Sequence, residues 1–206
     1  MTEAKVRKQY DQLAAKYDQR WSRYVLDTLS FLKSWTQIAP TDKVLDVACG
    51  TGEFERLILS DNSQQKIVGT DISEKMLANA HQKLQFYPNV SFQTATASAL
   101  PFGDRSFDLV VCANSFHYFE NPKTALAEMK RVLKSDGNVV ILDWCKDYWL
   151  CRICDILLQI FDPAHQHCYT QAEFHHLLNS TGFKIQQATK VRFGLMWGLM
   201  VATATV

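Results

Sequence analysis

The chain has 206 residues, and its 22 lysines and arginines nearly balance its 21 aspartates and glutamates, which gives a formal net charge of +1 at pH 7. This length suits one domain, residues 1–206, with one sizeable core. The charges are interspersed, without the basic stripe that a nucleic-acid partner requires, and no run of about 20 apolar residues predicts a membrane span.

Six cysteines are scattered along the chain without the dense, even pattern of a secreted disulfide framework. The first residues also lack the apolar core of a signal peptide. We therefore expect a reduced, cytoplasmic protein. The sequence leaves open whether it is a monomer or a homodimer.

Helices and strands alternate through the first two thirds of the chain. Residues 3–35 have apolar and aromatic side chains at helical spacing, and Pro40 closes this segment. Strands are predicted at 43–48, 66–70, 90–93, 109–113 and 138–143, with helices at 53–59, after the N-cap Ser73, and at 122–134. Such alternation predicts an α/β fold with a parallel sheet, whose ligands bind at the carboxyl ends of the strands.

The pattern changes after the fifth strand. An apolar helix is predicted at 148–161, Thr170 caps a helix that ends near residue 180, and 184–192 with 200–205 form a terminal hairpin. Residues 1–36 and 144–170 are both predicted to cover the ligand pocket. We expect the first to be an N-terminal helical lid and the second a cap insertion.

The most informative segment is 44–52, with the sequence VLDVACGTG. It predicts a buried strand that enters a turn of small residues, where a ligand can lie against backbone N–H groups because few side chains obstruct it. Asp71 follows Gly52 by nineteen residues and ends a second apolar strand. In nucleotide-binding βαβ units an acid at this distance holds the ribose hydroxyls. We therefore expect a cofactor that contains adenosine.

The dinucleotide fingerprint requires a third glycine or alanine where this chain has Glu55. A carboxylate near the helix N-terminus would compete with a phosphate for the positive end of the helix dipole. The sequence therefore favours a cofactor with a ribose and no phosphate.

These motifs resemble those of class I S-adenosylmethionine-dependent methyltransferases, of the small-molecule type related to the ubiquinone and menaquinone methyltransferases. The resemblance extends over most of the chain in the expected order: 44–52, then IVGTDISEKML at 67–77, ATASALPF with SFD at 95–108, DLVVCANSFHYF at 108–119 and EMKRVLKSDG at 128–137. It implies a Rossmann-like, doubly wound, mostly parallel sheet of seven strands that ends in an antiparallel hairpin.

Two positions depart from the family pattern. Ala48 stands where the family has its first turn glycine, and we expect its φ to be negative. Thr96 replaces the acid that commonly meets the adenine amino group, so a charge-assisted hydrogen bond is lost there.

The resemblance implies a set of cofactor-binding residues. Asp46 is expected near the cofactor's amino group, although it could instead satisfy N–H groups of the loop, and Ile72 with Met76 would either enclose the adenine or pack in the core. Asn114 would lie near the methionine part, or cap the next helix. The full set is Tyr17, Asp46, Ala48, Gly50, Gly52, Asp71, Ile72, Met76, Thr96, Ala97, Ser98 and Asn114.

His117 is the candidate general base, because it follows the fourth strand as in the family, although a structural histidine is the alternative. Tyr10, Trp21, Asp143 and Trp144 are candidate contacts of the methyl acceptor. The tyrosines and Trp21 would otherwise be part of the core.

Cys151 and Cys154 have the spacing of a zinc ligand pair, with His165 and His167 following. Because the cysteines fall within a predicted helix rather than a tight turn, we expect packing residues and no metal.

The sequence therefore predicts methyl transfer to a small, hydrophobic or aromatic metabolite by direct displacement at the sulfonium methyl carbon. The alternatives are a non-catalytic sensor or partner subunit that keeps the cofactor fold, and an NAD-dependent oxidoreductase.

Overall fold

A computed structural model gives the fold and describes residues 2–162, 164–194 and 196–206. Its helices are α1 (Thr2–Leu13), α2 (Tyr17–Thr36), α3 (Glu53–Leu59), α4 (Glu74–Leu84), α5 (Pro122–Val132), α6 (Trp149–Phe161) and α7 (Gln171–Ser180). Its strands are β1 (Lys43–Val47), β2 (Lys66–Asp71), β3 (Val90–Thr94), β4 (Phe107–Ala113), β5 (Leu133–Trp144), β6 (Lys184–Phe193) and β7 (Trp197–Thr205). Short 3₁₀ helices cover Ala14–Lys16 and Phe116–Tyr118.

All seven strands lie in one sheet, in the order β3-β2-β1-β4-β5-β7-β6. The first five pair in parallel, and β7 pairs antiparallel to both β5 and β6. The order reverses beside β1, so the carboxyl ends of β1 and β4 border a crevice, which is where ligands bind in open α/β sheets. The predicted fold class is confirmed.

Helices cover both faces of the sheet. Apolar side chains of α5 and α7 pack on one face, around Met129 and Phe174, and those of α2 and α3 pack on the other, around Leu32 and Phe54. The central strands β1 and β4 are buried on both faces, as their continuous apolar runs predict. Among the described residues, no helix combines the length and the apolar character that a bilayer crossing demands.

Two predicted elements differ from the structure. The single N-terminal helix is interrupted by the 3₁₀ turn at Ala14–Lys16. The helix predicted to end near residue 134 stops at Val132, and β5 begins at once with Leu133 paired to Phe107. Gly137 therefore does not terminate a helix. It lies in β5 beside a register shift, where an added Cβ would be 2.7 Å from the carbonyl oxygen of Asp108.

One helix is unusual in its exposure. Large apolar side chains of α6 face solvent, namely Trp149, Ile153, Ile156, Leu157, Ile160 and Phe161. The opposite side of the same helix is anchored by the buried Cys151 and Asp155. The helix therefore has apolar residues on its outer face and a buried polar group on its inner face.

The pairing of β1 with β2 depends on a glycine. Gly69 lies opposite Asp46, and a Cβ added to it would be 2.6 Å from Phe92, 2.7 Å from a carboxyl oxygen of Glu55 and 2.8 Å from the thiol of Cys49. These groups are packed from different elements, so none can move freely.

We expect Gly69→Ala to lower the free energy of unfolding by about 1–3 kcal/mol, the usual effect of overpacking a filled site. Chemical denaturation measures this difference. Gly103→Ala is the matched control, since its nearest neighbour would be 3.6 Å away. Equal stability of the two variants would show that the space at Gly69 is not limiting.

Candidate functional site

The turn after β1 has a left-handed backbone at alternate residues. The φ angles are 64° at Ala48, 57° at Gly50 and 76° at Gly52. The expectation of a negative φ at Ala48 is therefore wrong. The turn requires the left-handed conformation at this position whichever residue occupies it, and alanine adopts it at a cost of about 1–2 kcal/mol.

Asp71 holds this turn against the start of α4. One carboxylate oxygen accepts the N–H of Gly50 at 2.9 Å, and the other accepts the N–H of Ser73 at 2.8 Å. Burial raises the pKa of Asp71 to about 6, while these backbone hydrogen bonds oppose the shift. A Cβ added at Gly50 would meet nothing within 4 Å, so open space adjoins the turn at the glycine beside this carboxylate.

A cleft opens beside the turn, and most of the predicted cofactor residues border it. Its main part is lined by Glu3, Val6, Tyr10, Tyr17, Ala48, Gly50, Asp71, Ile72, Ala95, Thr96, Ala97, Ser98, Ser115, Tyr118 and Phe119. A second part shares Tyr17, Gly50 and Ser115 with it and adds Asp46, Glu53 and Asn114. Among the described lining residues of both parts, four are acidic and none is Lys, Arg or His.

The lack of basic groups is the main electrostatic property of the cleft. A pyrophosphate would meet carboxylates there and no cation of the lining itself, although Glu53 is paired with Arg56 and Lys83 outside it. A positively charged ligand would be stabilised. The charge of the lining therefore disfavours a dinucleotide.

The first helix supplies one wall of the cleft. Glu3 of α1 accepts a hydrogen bond from the hydroxyl of Thr96, at the position where the family pattern has an acid. Tyr10 packs edge-on against Tyr118, with ring centroids 5.6 Å apart, and lies 6.1 Å from Tyr17. Burial raises the pKa of Tyr10 and of Tyr17, so both hydroxyls stay protonated at neutral pH. Tyr10, a predicted contact of the acceptor, lines the main part of the cleft.

Some predicted residues lie outside this lining. Gly52 begins α3, and a Cβ there would be 3.1 Å from Ala80 of α4, so this glycine permits the close packing of two helices. Met76 is fully buried beneath the cleft. Trp21 and Trp144 belong to an aromatic cluster at the other end of the crevice.

A buried pair of carboxyl groups lies under the turn. Glu55 is completely buried and both of its oxygens lack a hydrogen-bond donor, as does one oxygen of its neighbour Asp46. Burial and the proximity of the two groups raise the pKa of Asp46, and burial raises that of Glu55 to about 8. Glu55 is therefore protonated at neutral pH. It is buried in the core, so the predicted competition of this side chain with a phosphate for the helix dipole is wrong.

His117 lies in the 3₁₀ turn after β4, directly against the end of β5. Its Nδ1 is 2.6 Å from one oxygen of Asp143, and its backbone N–H donates to the other at 2.7 Å. The imidazole ring stacks on Trp144 at 5.0 Å and 15°. Asp143 is 1% exposed and also accepts the N–H of Trp144, so it faces His117 rather than a ligand. Its expected contact with the acceptor is therefore wrong, because its oxygens point inward.

An aromatic cluster that the sequence only partly indicated adjoins His117. Its rings are Trp21, Tyr24, Trp144 and Trp197, with neighbouring centroids 4.8–6.2 Å apart. The hydroxyl of Tyr24 accepts from Trp144 and donates to Asn114, both at 2.7 Å. Asn114 in turn donates to Thr28, so it connects α2 to the end of β4 instead of capping a helix.

Tyr24 and Trp197 were missed because nothing in their local sequence indicates contact with residues about 90–170 positions away. Glu3 was missed for the same reason. The aromatic spacing of α2 was the only available signal for Tyr24.

The burial of Glu55 predicts a pH-dependent stability. Its pKa in the folded protein is about 8, above the unfolded value near 4.5. The protonated form therefore favours folding at low pH, and this contribution is lost as the pH rises through 8. Glu55→Gln should be more stable than the parent chain at pH 8 by about 2–5 kcal/mol, and the difference should shrink towards pH 5.

Denaturant unfolding at a series of pH values measures this effect. Glu74→Gln, on the exposed side of α4, is the control and should show a pH-independent difference. A difference for Glu55→Gln that is constant with pH would contradict the assignment of a protonated, buried carboxyl.

Comparisons with known proteins agree with this geometry. A family model described as a methyltransferase domain matches residues 45–141. Demethylmenaquinone methyltransferase of Thermotoga maritima is 34% identical over 145 residues, which are 65% of this chain and 59% of that protein. The ubiquinone/menaquinone biosynthesis C-methyltransferase UbiE of Geotalea uraniireducens is 26% identical, over 87% of this chain and 88% of that protein.

The fold is also found among solved structures. A chain in the complex between the Haloferax volcanii Trm112 methyltransferase activator and a methyltransferase superposes with a TM-score of 0.86, at 19% identity, over 97% of this chain and 96% of that one. The present chain spans about three fifths of the length of the first relatives it matches. Together with the turn, Asp71 and the cleft, these matches support a class I S-adenosylmethionine-dependent methyltransferase related to the quinone methyltransferases.

Proposed function

We propose that the chain transfers the methyl group of S-adenosyl-L-methionine to a small, hydrophobic or aromatic acceptor. The observation that supports this most directly is the cleft itself, which is lined by acids and by no described basic residue, and whose lining includes Ser115 and Tyr118, close in sequence to His117. The relatives named for quinone methylation agree with an apolar acceptor.

The described residues fit this cofactor. Asp71 retains accepting capacity for the ribose hydroxyls while its backbone hydrogen bonds fix its orientation. The bound cofactor supplies an electrophilic methyl group on a sulfonium. Asp46 and Glu53 line the part of the cleft next to Asn114. Their carboxyl groups would stabilise the positive charges of the cofactor.

We further propose that α1 completes adenine recognition. Thr96 lacks the carboxylate of the family pattern, but its hydroxyl binds Glu3, which also lines the cleft. A carboxylate from the helical lid therefore stands beside Thr96, where it can accept a hydrogen bond from an exocyclic amino group. In this proposal the lid has to be in place for full affinity.

The acceptor would lie beside the aromatic cluster, close to His117. Half-buried rings of Trp21 and Trp144 offer apolar surface for a flat molecule, and Asp143 keeps His117 oriented. A carboxylate that holds Nδ1–H leaves Nε2 as the basic nitrogen, so His117 can accept a proton from a hydroxyl of the acceptor.

Most of the rate enhancement would come from alignment. A sulfonium is already a good leaving group, so no nucleophilic side chain is required, and positioning of the reactants can contribute about 7–11 kcal/mol. The tyrosines of the lid and the rings around His117 would exclude water from the reacting centre. The alternatives of a non-catalytic subunit and an oxidoreductase have no support in the site, and the cytoplasmic location stays a prediction.

Methyl transfer tests the proposal directly. We expect the chain to move a labelled methyl group from S-adenosylmethionine to a component of the organic-solvent fraction of a metabolite extract. Asp71→Asn should raise the dissociation constant for the cofactor at least tenfold in calorimetry, since the ribose loses an anionic acceptor. Asp136→Asn, on the exposed surface, is the control.

The proposal would be wrong in its acceptor class if label entered only water-soluble or macromolecular fractions. It would be wrong in its cofactor site if Asp71→Asn bound the cofactor as tightly as the parent chain.

The role of His117 has its own test. His117→Asn and Asp143→Asn should each lower kcat by about 10²–10⁴-fold, the range expected for loss of a general base or of its orientation. Cofactor affinity should stay within about twofold, because neither residue lines the cofactor cleft. His176→Asn on the exposed side of α7 is the control. Unchanged turnover in the His117 variant would show that the acceptor needs no base.

A further inference from the structure

A second cluster of reactive side chains lies outside the proposed active site, where α6 meets the loop that follows it. Cys151 and Asp155 are one helical turn apart on the inner face of α6, and His165 and Cys168 come from the loop. Their exposed fractions are 5%, 1%, 5% and 0%. Two thiols, an imidazole and a carboxylate are thus enclosed together.

Three of the four groups are close enough to share one ion, and the fourth contacts one of them. The ligand atoms of Asp155, His165 and Cys168 all lie within 4.8 Å of one another. The thiols of Cys168 and Cys151 are in hydrogen-bond contact. Ligand atoms around a tetrahedral zinc ion lie about 3.3–3.8 Å apart for the usual bond lengths, so the cluster would contract on binding.

The hydrogen bonds of the cluster leave one ring nitrogen free, and an ion would have to displace contacts of Asp155. One oxygen of Asp155 lies 2.8 Å from Nε2 of His165 and accepts the backbone N–H of Cys168 at 2.9 Å. The other lies 3.0 Å from the ammonium of Lys146. The remaining ring nitrogen of His165, Nδ1, is buried without a partner.

Charge balance favours a divalent ion. Two thiolates and one carboxylate have three negative charges, which a divalent cation and Lys146 would neutralise together. A buried site with no net charge avoids most of the desolvation penalty of its ions. Sulfur and nitrogen ligands select a borderline-soft metal such as Zn²⁺ over Mg²⁺ or Ca²⁺.

The spacing Cys151-x-x-Cys154 is not the relevant pair. Cys154 is only half-buried, whereas Cys151 and Cys168 are buried. His167 packs edge-on against Tyr169 and gives its backbone N–H to the carbonyl of His117. The structure therefore selects Cys151, Asp155, His165 and Cys168.

We propose that these four residues form a structural zinc site that fastens α6 to the loop at 164–170. Binding of the ion replaces the thiol–thiol contact with two metal–sulfur bonds, and the two thiol protons leave to solvent. The same loop donates the N–H groups of Gln166 and His167 to the carbonyl of His117. The site would therefore also limit movement of the backbone at His117, the proposed base.

Cobalt substitution of the full chain under reducing conditions tests this. The protein is stripped with a chelator and titrated with Co²⁺, whose visible and thiolate charge-transfer absorption report tetrahedral geometry and sulfur ligation. We expect saturation at about one ion per chain, displacement of Co²⁺ by Zn²⁺, and a rise in Tm on binding. Cys168→Ser should lower the affinity for Co²⁺ by at least tenfold and reduce the thiolate band.

Cys154→Ser is the matched control, since it changes a cysteine of the same helix outside the cluster. It should bind Co²⁺ as the parent chain does. His165→Gln provides a second variant in case Cys168→Ser folds poorly, and it should weaken binding while the thiolate band remains. The proposal is overturned if the parent chain binds no Co²⁺, if the bound ion lacks sulfur ligands, or if Cys154→Ser removes the site.

Discussion

The hydrogen bond from Gly50 to Asp71 is the contact on which the rest of the site depends. It joins the turn after β1 to the end of β2, and the second oxygen of the same carboxylate fixes the start of α4 through Ser73. Because β1 and β2 pair in parallel, both chain reversals occur at the same edge of the sheet. One buried side chain therefore sets the shape of the turn and presents an acceptor to whatever lies in the crevice.

Contacts distant in sequence complete this local frame. Glu3 reaches Thr96 from the first helix, and Tyr24 reaches both Asn114 and Trp144 from the second. The N-terminal helices are thus bonded to the chain at or just after the carboxyl ends of β3, β4 and β5. An outward movement of both helices would break hydrogen bonds on both sides of the crevice.

The sequence was sufficient for the fold and for the centre of the site, because each signal there is local. A turn of small residues, a strand-end acid and alternating apolar segments each follow from the chemistry of a few neighbouring positions. The rest depends on contacts or register that a sequence does not show. The start of β5 was missed because Gly137 has the appearance of a helix stop, and the inward direction of Asp143 follows from strand pairing with β4 and β7. The burial of Glu55 depends on the absence of a side chain at Gly69, because the Glu55 carboxyl occupies the space that a Cβ there would need.

Ala48 illustrates how a glycine position can tolerate another residue. Its left-handed backbone costs about 1–2 kcal/mol relative to an ordinary conformation. A glycine there would remove that strain, but it would also give the unfolded chain more conformational entropy, which is equivalent to about 0.4–1 kcal/mol lost from stability. The strain is the larger effect, so glycine would leave a net gain in stability of up to about 1.6 kcal/mol. What the alanine changes is the steric boundary of the crevice, since its methyl group adds a permanent apolar contact beside the cofactor position.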